Sequence, residues 1–428
     1  MPSMEIPAPY LRYRLLSLLL FPLWVLHAAW LALRHREADY FWQRLGWHSP
    51  FQGGRPSGCI WVHAASVGEV KLILPLVERL RGDHPILVTT FTATGYRQAR
   101  QSLPQSVLVR VLPIDFLPLS RLFFRRHRCR LGLIAETELW PETLYQARQA
   151  GTRLLQINAR LSDKSLRISP RWKPVLSRSL GYFDRHLARS EDDRLRLLAL
   201  GAVAERIDHS GNLKYAGQAQ EAPQEPPFDR PYLLFASTHD PEEIDFARVM
   251  AGLGWPRFAL IAPRHPERGR DIRRRLEAEG WSVAQRSRNE PVTADTQIYL
   301  ADTLGEMPMW MAHAEIVVMG GSFADIGGHN LLEPARFARP LITGPSDQNI
   351  REEIQRLESA GGLEQVKDID ELANRLKLWL QQPEQARSAG EQARKALAGG
   401  ESVLDDYVEA VEKALSDNPP AAPASPPR

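Results

Sequence analysis

Beyond about residue 56, the chain alternates short apolar runs with stretches whose apolar residues recur at helical spacing. The runs predicted to be strands in the first half are 59–63, 86–90, 107–112, 131–135, 153–157 and 185–188. A helix is predicted over 69–81 from the spacing of its apolar residues, Val70, Ile73, Leu74, Val77 and Leu80. Strands that alternate with helices form parallel sheets covered by helices on both faces. The pattern predicts an α/β fold rather than a coiled coil, a disordered chain or a polytopic membrane protein.

A segment rich in Pro, Gln and Glu, residues 217–231, interrupts this alternation and is interpreted as an interdomain linker. After it, strands are predicted at 232–236, 258–262, 297–300 and 315–319, and helices at about 241–252, 266–279 and 304–313. Two such halves predict two Rossmann-like domains facing across a cleft, with functional residues directly after strands. The predicted organisation is an N-terminal membrane-associated helix (1–36), a first domain (37–216), the linker (217–231), a second domain (232–415) and a disordered Pro-rich tail (416–428).

Leu15–Leu33 is the most hydrophobic stretch, with 16 apolar residues among its 19. A membrane span needs ~20 residues, so this stretch is barely long enough. It is interpreted as a single membrane anchor or as a helix lying in the membrane interface, and a buried amphipathic helix is the alternative. A cleaved signal peptide is disfavoured because no A-x-A-like site follows. The flanking arginines are balanced and set no orientation: Arg12, Arg14, Arg34 and Arg36.

The two halves differ in charge. Residues 1–216 contain 31 Lys and Arg against 17 Asp and Glu, a net charge of +14, and residues 217–428 contain 23 against 34, a net charge of −11. Such asymmetry predicts an anionic partner for the first half. Part of the excess lies in 119–130, where arginines flank bulky apolar residues, as suits an anionic membrane surface or, alternatively, a solvated helix face. The patch residues are Arg121, Phe123, Phe124, Arg125 and Arg126.

The chain has two cysteines, Cys59 and Cys129, too few for a disulfide framework or a cysteine zinc cluster. We expect them to be reduced, which favours a cytoplasmic location for the soluble part. No H-E-x-x-H motif is present, and the sole D-x-D, Asp368 to Asp370, lies in a charged, helical-looking stretch. No metal site is therefore expected.

The first half contains three candidate catalytic residues: Glu69 and Glu136 follow predicted strands, and Lys214 lies just before the linker, where the floor of the cleft is expected. Glu69 is a candidate general base for a hydroxyl nucleophile, but Ser66 and Glu69 also have the spacing of a capping box. Glu136 precedes a predicted helix start, where it either compensates the helix dipole or orients the base or the acceptor. Lys214 is either a solvated charge or a cation that neutralises a leaving phosphate.

In the second half, Arg264 follows a strand and could bind a phosphate or carboxylate, or belong to a proline-flanked turn. Residues 302–308 form another strand-to-helix turn, whose free amides could bind a base or phosphate. The segment 320–334 has four glycines in nine residues, which predicts close approach to a ligand and exposed amides, or simply a loop before a capped helix. Asn330 is its predicted N-cap, and Glu333 could accept hydrogen bonds from ribose hydroxyls. Neither G-x-G-x-x-G nor a P-loop is present, so NAD or FAD is not favoured.

The chain carries nine ordered motifs: HAASVGE (63–69), TTFTATGY (89–96), P-x-D (113–115), ETELWP (136–141), NARLSDKS (158–165), GNLKY (211–215), PRHPER (263–268), LGEMP (304–308) and GGSFADIGGHNLLEP (320–334). Through them it closely resembles bacterial 3-deoxy-D-manno-octulosonic acid (Kdo) transferases, which add Kdo to the lipid A precursor. The resemblance extends from the apolar N-terminal segment to about residue 415.

The resemblance implies a GT-B fold and an inverting transfer from CMP-Kdo at the anomeric carbon, with no metal or other cofactor. It implies that Glu69 is the general base and that Glu136 and Lys214 stabilise the transition state. It also implies a CMP-binding set: Pro263, Arg264, Gly305, Glu306, Met307, Asn330, Leu331, Leu332 and Glu333.

The implied partners are CMP-Kdo, the lipid A precursor and the anionic inner membrane of a bacterium, with the catalytic part on the cytoplasmic side. Nucleic acid is not expected, because no nucleic-acid-binding motif is present and the acidic second half would repel phosphates. Two alternatives remain. One is another GT-B enzyme, such as a nucleotide-sugar epimerase or a transferase with a soluble acceptor. The other is a non-catalytic membrane nucleotide sensor, which would not need Glu69.

Overall fold

The computed structural model describes residues 7–47, 58–161, 167, 169–216, 225–253 and 258–417. These residues form two compact α/β units. Unit 1 contains the described residues up to 216 together with those from 399 onward, and unit 2 contains those from 225 to 398. Each unit is built around one seven-stranded sheet.

The sheet of unit 1 is parallel, as the alternation of strands and helices predicts. Its strands are β1 (Ile60–His63), β2 (Ile86–Thr90), β3 (Leu108–Val111), β4 (Leu131–Ala135), β5 (Arg153–Ala159), β6 (Arg185–Ala188) and β7 (Ile207–His209). Their order is β3-β2-β1-β4-β5-β6-β7. In β1, Ile60 is aligned with Ile86 of β2 and Leu131 of β4. Every residue of β1 is buried, which explains its continuous apolar run.

Helices cover both faces of this sheet. Before the linker they are α1 (Leu11–His35), α2 (Ala38–Arg44), α3 (Val67–Leu80), α4 (Ala93–Ser102), α5 (Leu117–Arg126), α6 (Pro141–Gln149), α7 (Lys173–Leu180) and α8 (Glu191–Leu200), followed by a 3₁₀ segment, Leu213–Ala216. In α3, the apolar positions of the predicted helix, Val70, Ile73 and Val77 among them, are buried in the main core. The helical period at 69–81 therefore marks the face that contacts the sheet.

Unit 2 repeats this plan. Its strands are β8 (Leu233–Thr238), β9 (Ala259–Pro263), β10 (Val283–Gln285), β11 (Ile298–Leu300), β12 (Ile316–Met319), β13 (Leu341–Thr343) and β14 (Leu363–Gln365), in the order β10-β11-β9-β8-β12-β13-β14. Its helices are α9 (Glu242–Leu253), α10 (Gly269–Ala278), α11 (Met307–His313), α12 (Leu332–Arg336), α13 (Arg351–Ser359), α14 (Ile369–Gln381) and α15 (Pro383–Ala396). All ten predicted strands are present within two residues at each end. The structure adds β7, β10, β13 and β14, which were not predicted.

The last helix, α16 (Gly400–Ser416), returns to unit 1. Its residues Leu404, Tyr407 and Val411 are buried in the core that surrounds β1 and α3. The sequence-based boundary at 415 placed this helix in the second domain, and the structure places it in the first unit. The apolar face of the helix predicts burial, but its sequence does not say against which sheet.

The two cysteines are not reduced in this structure: Cys59 and Cys129 form a disulfide. The expectation of free thiols was wrong because the two residues are 70 positions apart in sequence but precede neighbouring strands, β1 and β4. Their Cα atoms lie 4.4 Å apart. Both side chains are buried among the aromatic residues of one core cluster.

Helix α1 is long and apolar enough to cross a membrane by length and composition. It does not fit the alternative of a buried amphipathic helix. Its buried residues are the small ones, Ser17, Ala28 and Ala32. Its leucines lie on the outside; Leu19 is 74% exposed and Leu33 is 80% exposed.

Candidate active site

Glu69 lies in the first turn of α3, at the carboxyl end of β1. The Ser66 hydroxyl accepts a hydrogen bond from the Glu69 N–H (3.4 Å) and donates to its carboxylate (2.9 Å). The other carboxylate oxygen accepts the Ala65 N–H at 2.9 Å. Ser66 therefore caps α3 as in the predicted capping box, but the Glu69 carboxylate returns to the N–H of Ala65, the residue before the N-cap. These bonds fix the direction of the carboxylate at the edge of the sheet where ligands bind in such folds.

A second acid, Glu138, lies beside Glu69. Burial and the negative charge of Glu138 raise the pKa of Glu69. Hydrogen bonds from Ala65 and Ser66 and the charge of His63 act to lower it, but the net shift is upward. Burial would also raise the pKa of Glu138, but His63 and the Trp140 indole hold it below its usual range. The nearest atoms of His63 and Glu138 are 3.9 Å apart. Two neighbouring carboxyls thus have pKa values shifted in opposite directions, an arrangement typical of acid–base sites.

Glu136 occupies a different environment. It follows β4 in a left-handed backbone conformation, with φ of 54°. Its N–H donates to the Ile157 carbonyl (2.9 Å), and its own carbonyl accepts the Gln156 side-chain amide (2.6 Å). Its carboxylate lies 4.0 Å from the Arg160 guanidinium. Of the two acids in ETELWP, Glu138 is the one whose charge acts on Glu69, and its sequence position does not distinguish it from Glu136.

Lys214 lies in the 3₁₀ segment that follows β7. This segment is bonded to the end of β5, because the Asn158 side chain accepts the Leu213 N–H at 2.9 Å. The Tyr407 hydroxyl accepts the Asn158 N–H (3.1 Å) and donates to the Gly211 carbonyl (3.0 Å). Glu69, Glu136 and Lys214 therefore all lie at the carboxyl edge of one sheet, although the strand that precedes Lys214, β7, was not predicted.

In unit 2, the glycine-rich loop after β12 is bonded to the start of α9. The Glu242 carboxylate accepts the N–H groups of Gly321 (2.8 Å), Phe323 (2.9 Å) and Ala324 (3.2 Å). It also accepts the His239 N–H at 2.8 Å. The expectation that this loop exposes its amides is wrong for these three loop residues, because a buried acid from an earlier helix accepts them. A Cβ on Gly320 would lie 2.8 Å from the Thr238 Cα, so the loop and strand β8 approach closely.

Three histidines, which were not predicted as site residues, surround this loop. The Nε2 atoms of His239 and His329 lie 2.8 Å apart, within hydrogen-bond distance, and the two rings are stacked. The rings of His265 and His239 meet edge to face. Burial, helped by the nearby His239, Arg264 and His265, lowers the pKa of His329 to about 4. The guanidinium of Arg264, at the exposed end of β9, is close enough to take part in that shift. Cationic and neutral nitrogen donors therefore cluster at the carboxyl edge of the second sheet.

The other residues predicted to bind CMP in unit 2 differ in burial and in the contacts they make. Pro263 ends β9 and is buried, Gly305 has a positive φ of 89°, and Met307 begins α11. Glu306 forms a bidentate ion pair with Arg286, at 2.7 Å to one carboxylate oxygen and 3.1 Å to the other, which lowers the pKa of its carboxyl.

Asn330 does bond a helix start, but not as the predicted N-cap. Its side chain accepts the Leu332 N–H at 3.0 Å, while α12 has Leu331 as its N-cap. The side chains of Leu331 and Leu332 are buried, so ligand contacts at these two positions would come from the backbone. Glu333, in the first turn of α12, is half-buried.

A family model for 3-deoxy-D-manno-octulosonic acid transferase (kdotransferase) matches residues 39–217. A 3-deoxy-D-manno-octulosonic acid transferase from Bordetella pertussis is 32% identical over 412 residues, 90% of this chain and 95% of that protein. The Haemophilus influenzae enzyme of the same name is 31% identical, covering 88% of this chain and 91% of its own. The chain belongs to the Kdo transferase family.

Solved structures support the fold. A UDP-GlcNAc 2-epimerase from Neisseria meningitidis matches 83% of the chain with a TM-score of 0.57 at 13% identity. Anabaena Alr3699/HepE in complex with UDP also matches 83%, with a TM-score of 0.53 at 11% identity. At these identities the likeness concerns the fold alone. Together with the two parallel sheets, it confirms the predicted GT-B class of two Rossmann-like domains for this Kdo transferase family member, which is a glycosyltransferase.

The arginine patch of this family member differs from its prediction. Phe123 and Phe124 are only 1% and 2% exposed, and Phe124 packs edge-on against Trp61. They point into the core because α5 covers the sheet with that face. Arg121, Arg125 and Arg126 are exposed, so the patch is cationic without an aromatic component. Arg121 and Arg125 line a cavity of about 420 Å³ together with Arg14 of α1.

Among the described residues, no group of three or more His, Cys, Asp or Glu side chains could hold a metal ion. Asp368 of the single D-x-D caps α14 by accepting the Glu371 N–H at 2.8 Å. That motif therefore has a structural role in this Kdo transferase family member.

Proposed function

We propose that the chain transfers Kdo from CMP-Kdo to a hydroxyl of the lipid A precursor, with inversion and without a metal, and that Glu69 is the general base. The observation that carries this proposal is the environment of the Glu69 carboxyl. Two local hydrogen-bond donors hold it, the ionised Glu138 lies next to it, and its pKa is raised. A raised pKa makes the carboxylate a stronger base at neutral pH.

The capping role of Glu69 is compatible with proton abstraction. Each carboxylate oxygen has about two lone pairs, and the Ala65 and Ser66 donors occupy one on each oxygen. The free lone pairs can accept the proton of an acceptor hydroxyl, while the two bonds keep the group from rotating. Positioning of this kind favours a base that acts on one substrate atom.

Glu136 and Lys214 are proposed as the further catalytic residues. A non-glycine residue in the left-handed region is uncommon and costs about 1 kcal/mol or more, so the conformation of Glu136 supports a functional constraint at this position. Lys214 would offset the charge that develops on the departing phosphate. Its segment is bonded to the end of β5 by Asn158, which supports a fixed position for this cation.

For the donor, we propose that CMP is bound by Pro263 and Arg264, by Gly305, Glu306 and Met307, and by Asn330, Leu331, Leu332 and Glu333. The exposed Arg264 beside the histidine cluster supports phosphate binding there. The ion pair with Arg286 fixes the Glu306 turn from which N–H groups would reach the nucleotide.

We further propose that the protein acts at the surface of a bacterial inner membrane, on the cytoplasmic side that the family resemblance implies, since the Cys59–Cys129 disulfide removes the argument from reduced thiols. The support is the exposed apolar face of α1 and the exposed arginines of α5. An apolar face flanked by cations suits a lipid surface that carries anionic headgroups and presents a phosphorylated lipid acceptor.

The test is mass spectrometry of the lipid A precursor after incubation with the protein and CMP-Kdo, with soluble sugars as parallel acceptors. We expect one or more Kdo additions to the lipid and none to the soluble sugars. Glu69→Gln should lower turnover by ~10²-fold or more while CMP still binds. Glu78→Gln, on an exposed position of the same helix, is the matched control and should retain activity. Near-normal transfer by Glu69→Gln would remove Glu69 from the base role.

A further inference from the structure

Helix α1 has two faces of opposite character. Small residues, Ser17, Ala28 and Ala32, face unit 1. The outer face consists of large apolar residues that are 50–80% exposed: Leu11, Leu15, Leu18, Leu19, Leu23, Leu26, Trp30 and Leu33. Apart from the adjacent Leu18 and Leu19, these positions recur at intervals of three and four residues, so they lie along one side of the helix over its whole length. An exposed apolar surface this long indicates a partner.

Both ends of α1 are bonded to the same unit. Near the start, the Arg14 guanidinium forms a bidentate ion pair with the buried Glu142 at 2.9 and 3.0 Å, and the Tyr13 hydroxyl donates to the buried Asp115. At the far end, the Arg97 side chain donates to the His35 carbonyl at 2.9 Å. Each end is therefore fixed to the globular part of the molecule.

The middle and the last third of α1 also contact unit 1. Phe21 stacks on Phe116 with ring centroids 4.5 Å apart. Ala28 and Ala32 pack in one buried cluster with Tyr40 and Tyr96. The helix therefore lies along the surface of the domain rather than projecting from it.

These contacts are incompatible with a helix that crosses the bilayer. A helix of 25 residues is about 37 Å long, and the hydrocarbon core is about 30 Å thick. If α1 spanned it, the two ends would lie on opposite sides, and the part of unit 1 that is bonded to both would have to enter the hydrocarbon. The backbone of unit 1 near Phe116, which contacts the middle of α1, would then lie at membrane depth, which is costly.

We propose that α1 lies in the plane of the membrane surface, with its leucine face inserted into an anionic phospholipid layer, and does not cross the bilayer. The occupant of the exposed face is thus a lipid surface. Charge complementarity supports this choice, because the arginines at both helix ends, Arg12, Arg34 and Arg36, then meet the same layer of headgroups. The exposed Arg121 and Arg125 line a cavity together with Arg14 of α1 and add to the same cationic surface. The inference deepens the proposed function, on which it rests only for the choice of a bacterial membrane.

The deciding experiment is accessibility labelling of the full chain with a membrane-impermeant maleimide. Arg12→Cys and Arg36→Cys place one thiol at each end of α1, and Arg387→Cys, exposed on α15, marks the side that holds unit 2. The unsubstituted chain is the blank, because Cys59 and Cys129 are bonded and buried. Labelling is compared between spheroplasts and inverted membrane vesicles. We expect positions 12 and 36 to react from the same side as position 387.

Reaction of positions 12 and 36 from opposite sides would overturn the proposal. So would a position that reacts only after detergent is added, because that end of the helix would then lie inside the bilayer. Neither outcome depends on CMP-Kdo or on the acceptor, so the labelling can succeed or fail independently of the proposed transferase activity.

A second measurement tests the leucine face itself. Vesicles of phosphatidylcholine with and without phosphatidylglycerol are floated with the purified chain, and the double variant Leu19→Gln/Leu26→Gln is compared with Leu19→Met/Leu26→Met. The Gln variant should bind the anionic vesicles about tenfold more weakly or worse, and the Met variant as the parent does. Equal binding of both variants would contradict insertion of this face. Kdo transfer to a detergent-dispersed acceptor is measured in parallel. Its absence from every variant would count against the proposed function and not against the position of α1.

Discussion

Replacing Tyr407 by phenylalanine tests whether the last helix positions the lysine segment. The Tyr407 side chain is fully buried, and its hydroxyl joins the Asn158 N–H to the Gly211 carbonyl. Loss of the hydroxyl leaves a buried N–H without that acceptor, which costs about 1–3 kcal/mol. A loss of about 2 kcal/mol corresponds to a fall of about 4–8 °C in the melting temperature of a domain of 150–250 residues.

The same substitution should also affect the rate of Kdo transfer, through the hydrogen bond between Asn158 and Leu213. Asn158 accepts the Leu213 N–H, one residue before Lys214, so movement of Asn158 moves the proposed catalytic lysine. Since CMP is proposed to bind to unit 2, we expect kcat for Kdo transfer to fall while the Kd for CMP stays the same. The assay measures both at a temperature at which the variant is folded, as checked by circular dichroism.

The matched control is Glu409→Gln, an exposed position on the same helix, which should change the free energy of unfolding by no more than about 0.5 kcal/mol. A Tyr407→Phe chain with the melting temperature and kcat of the parent would refute the reasoning. Equal losses of kcat and CMP affinity would also contradict it, because they would indicate a general structural defect.

Two further predictions concern the two sheets separately. Glu138→Gln removes a negative charge that raises the pKa of Glu69, so that pKa should fall. Because a general base must be deprotonated, the acidic limb of the kcat/KM profile should then move to lower pH; an unmoved limb, or one at higher pH, would contradict the coupling. Gly320→Ala would place a Cβ 2.8 Å from the Thr238 Cα and 2.7 Å from a Glu242 carboxylate oxygen. Because a backbone atom cannot move away without distorting strand β8, we expect the free energy of unfolding, measured by chemical denaturation, to fall by about 1–3 kcal/mol. An unchanged unfolding midpoint would show instead that the loop moves freely.

Of the four strands that were not predicted, β7, β10 and β14 lie at sheet edges, and β13 is an interior strand of only three residues. β1 and β8 are buried on both faces and so appear as continuous apolar runs. The missed β7 and β14 are three-residue strands at sheet edges, and each contains only one buried residue. A strand that is paired on one side and partly exposed needs no apolar run, so its sequence resembles a loop.

The candidate site shows the same limit. The strand-end positions of Glu69 and Glu136 follow from the rule that parallel strands present their carboxyl ends at one edge, whereas Lys214 follows β7, which was not predicted. Glu242 could not be predicted as the acceptor of the loop amides, because it lies 79 residues before Gly321 and only the fold joins them. The disulfide and the return of α16 were missed for the same reason. Sequence periodicity shows which side chains are buried and does not identify their distant neighbours.

The return of α16 also determines when unit 1 can fold during synthesis. The residues of α16 complete a core whose other residues are translated first, and the roughly 180 residues of unit 2 separate the two parts. At ~5–20 residues per second, the ribosome takes ~10–40 s to make that intervening stretch. During this interval the nascent first sheet lacks the helix that covers part of it. A chain that stops before Gly400 would leave that apolar surface uncovered permanently, a target for chaperones and proteases rather than a folded fragment.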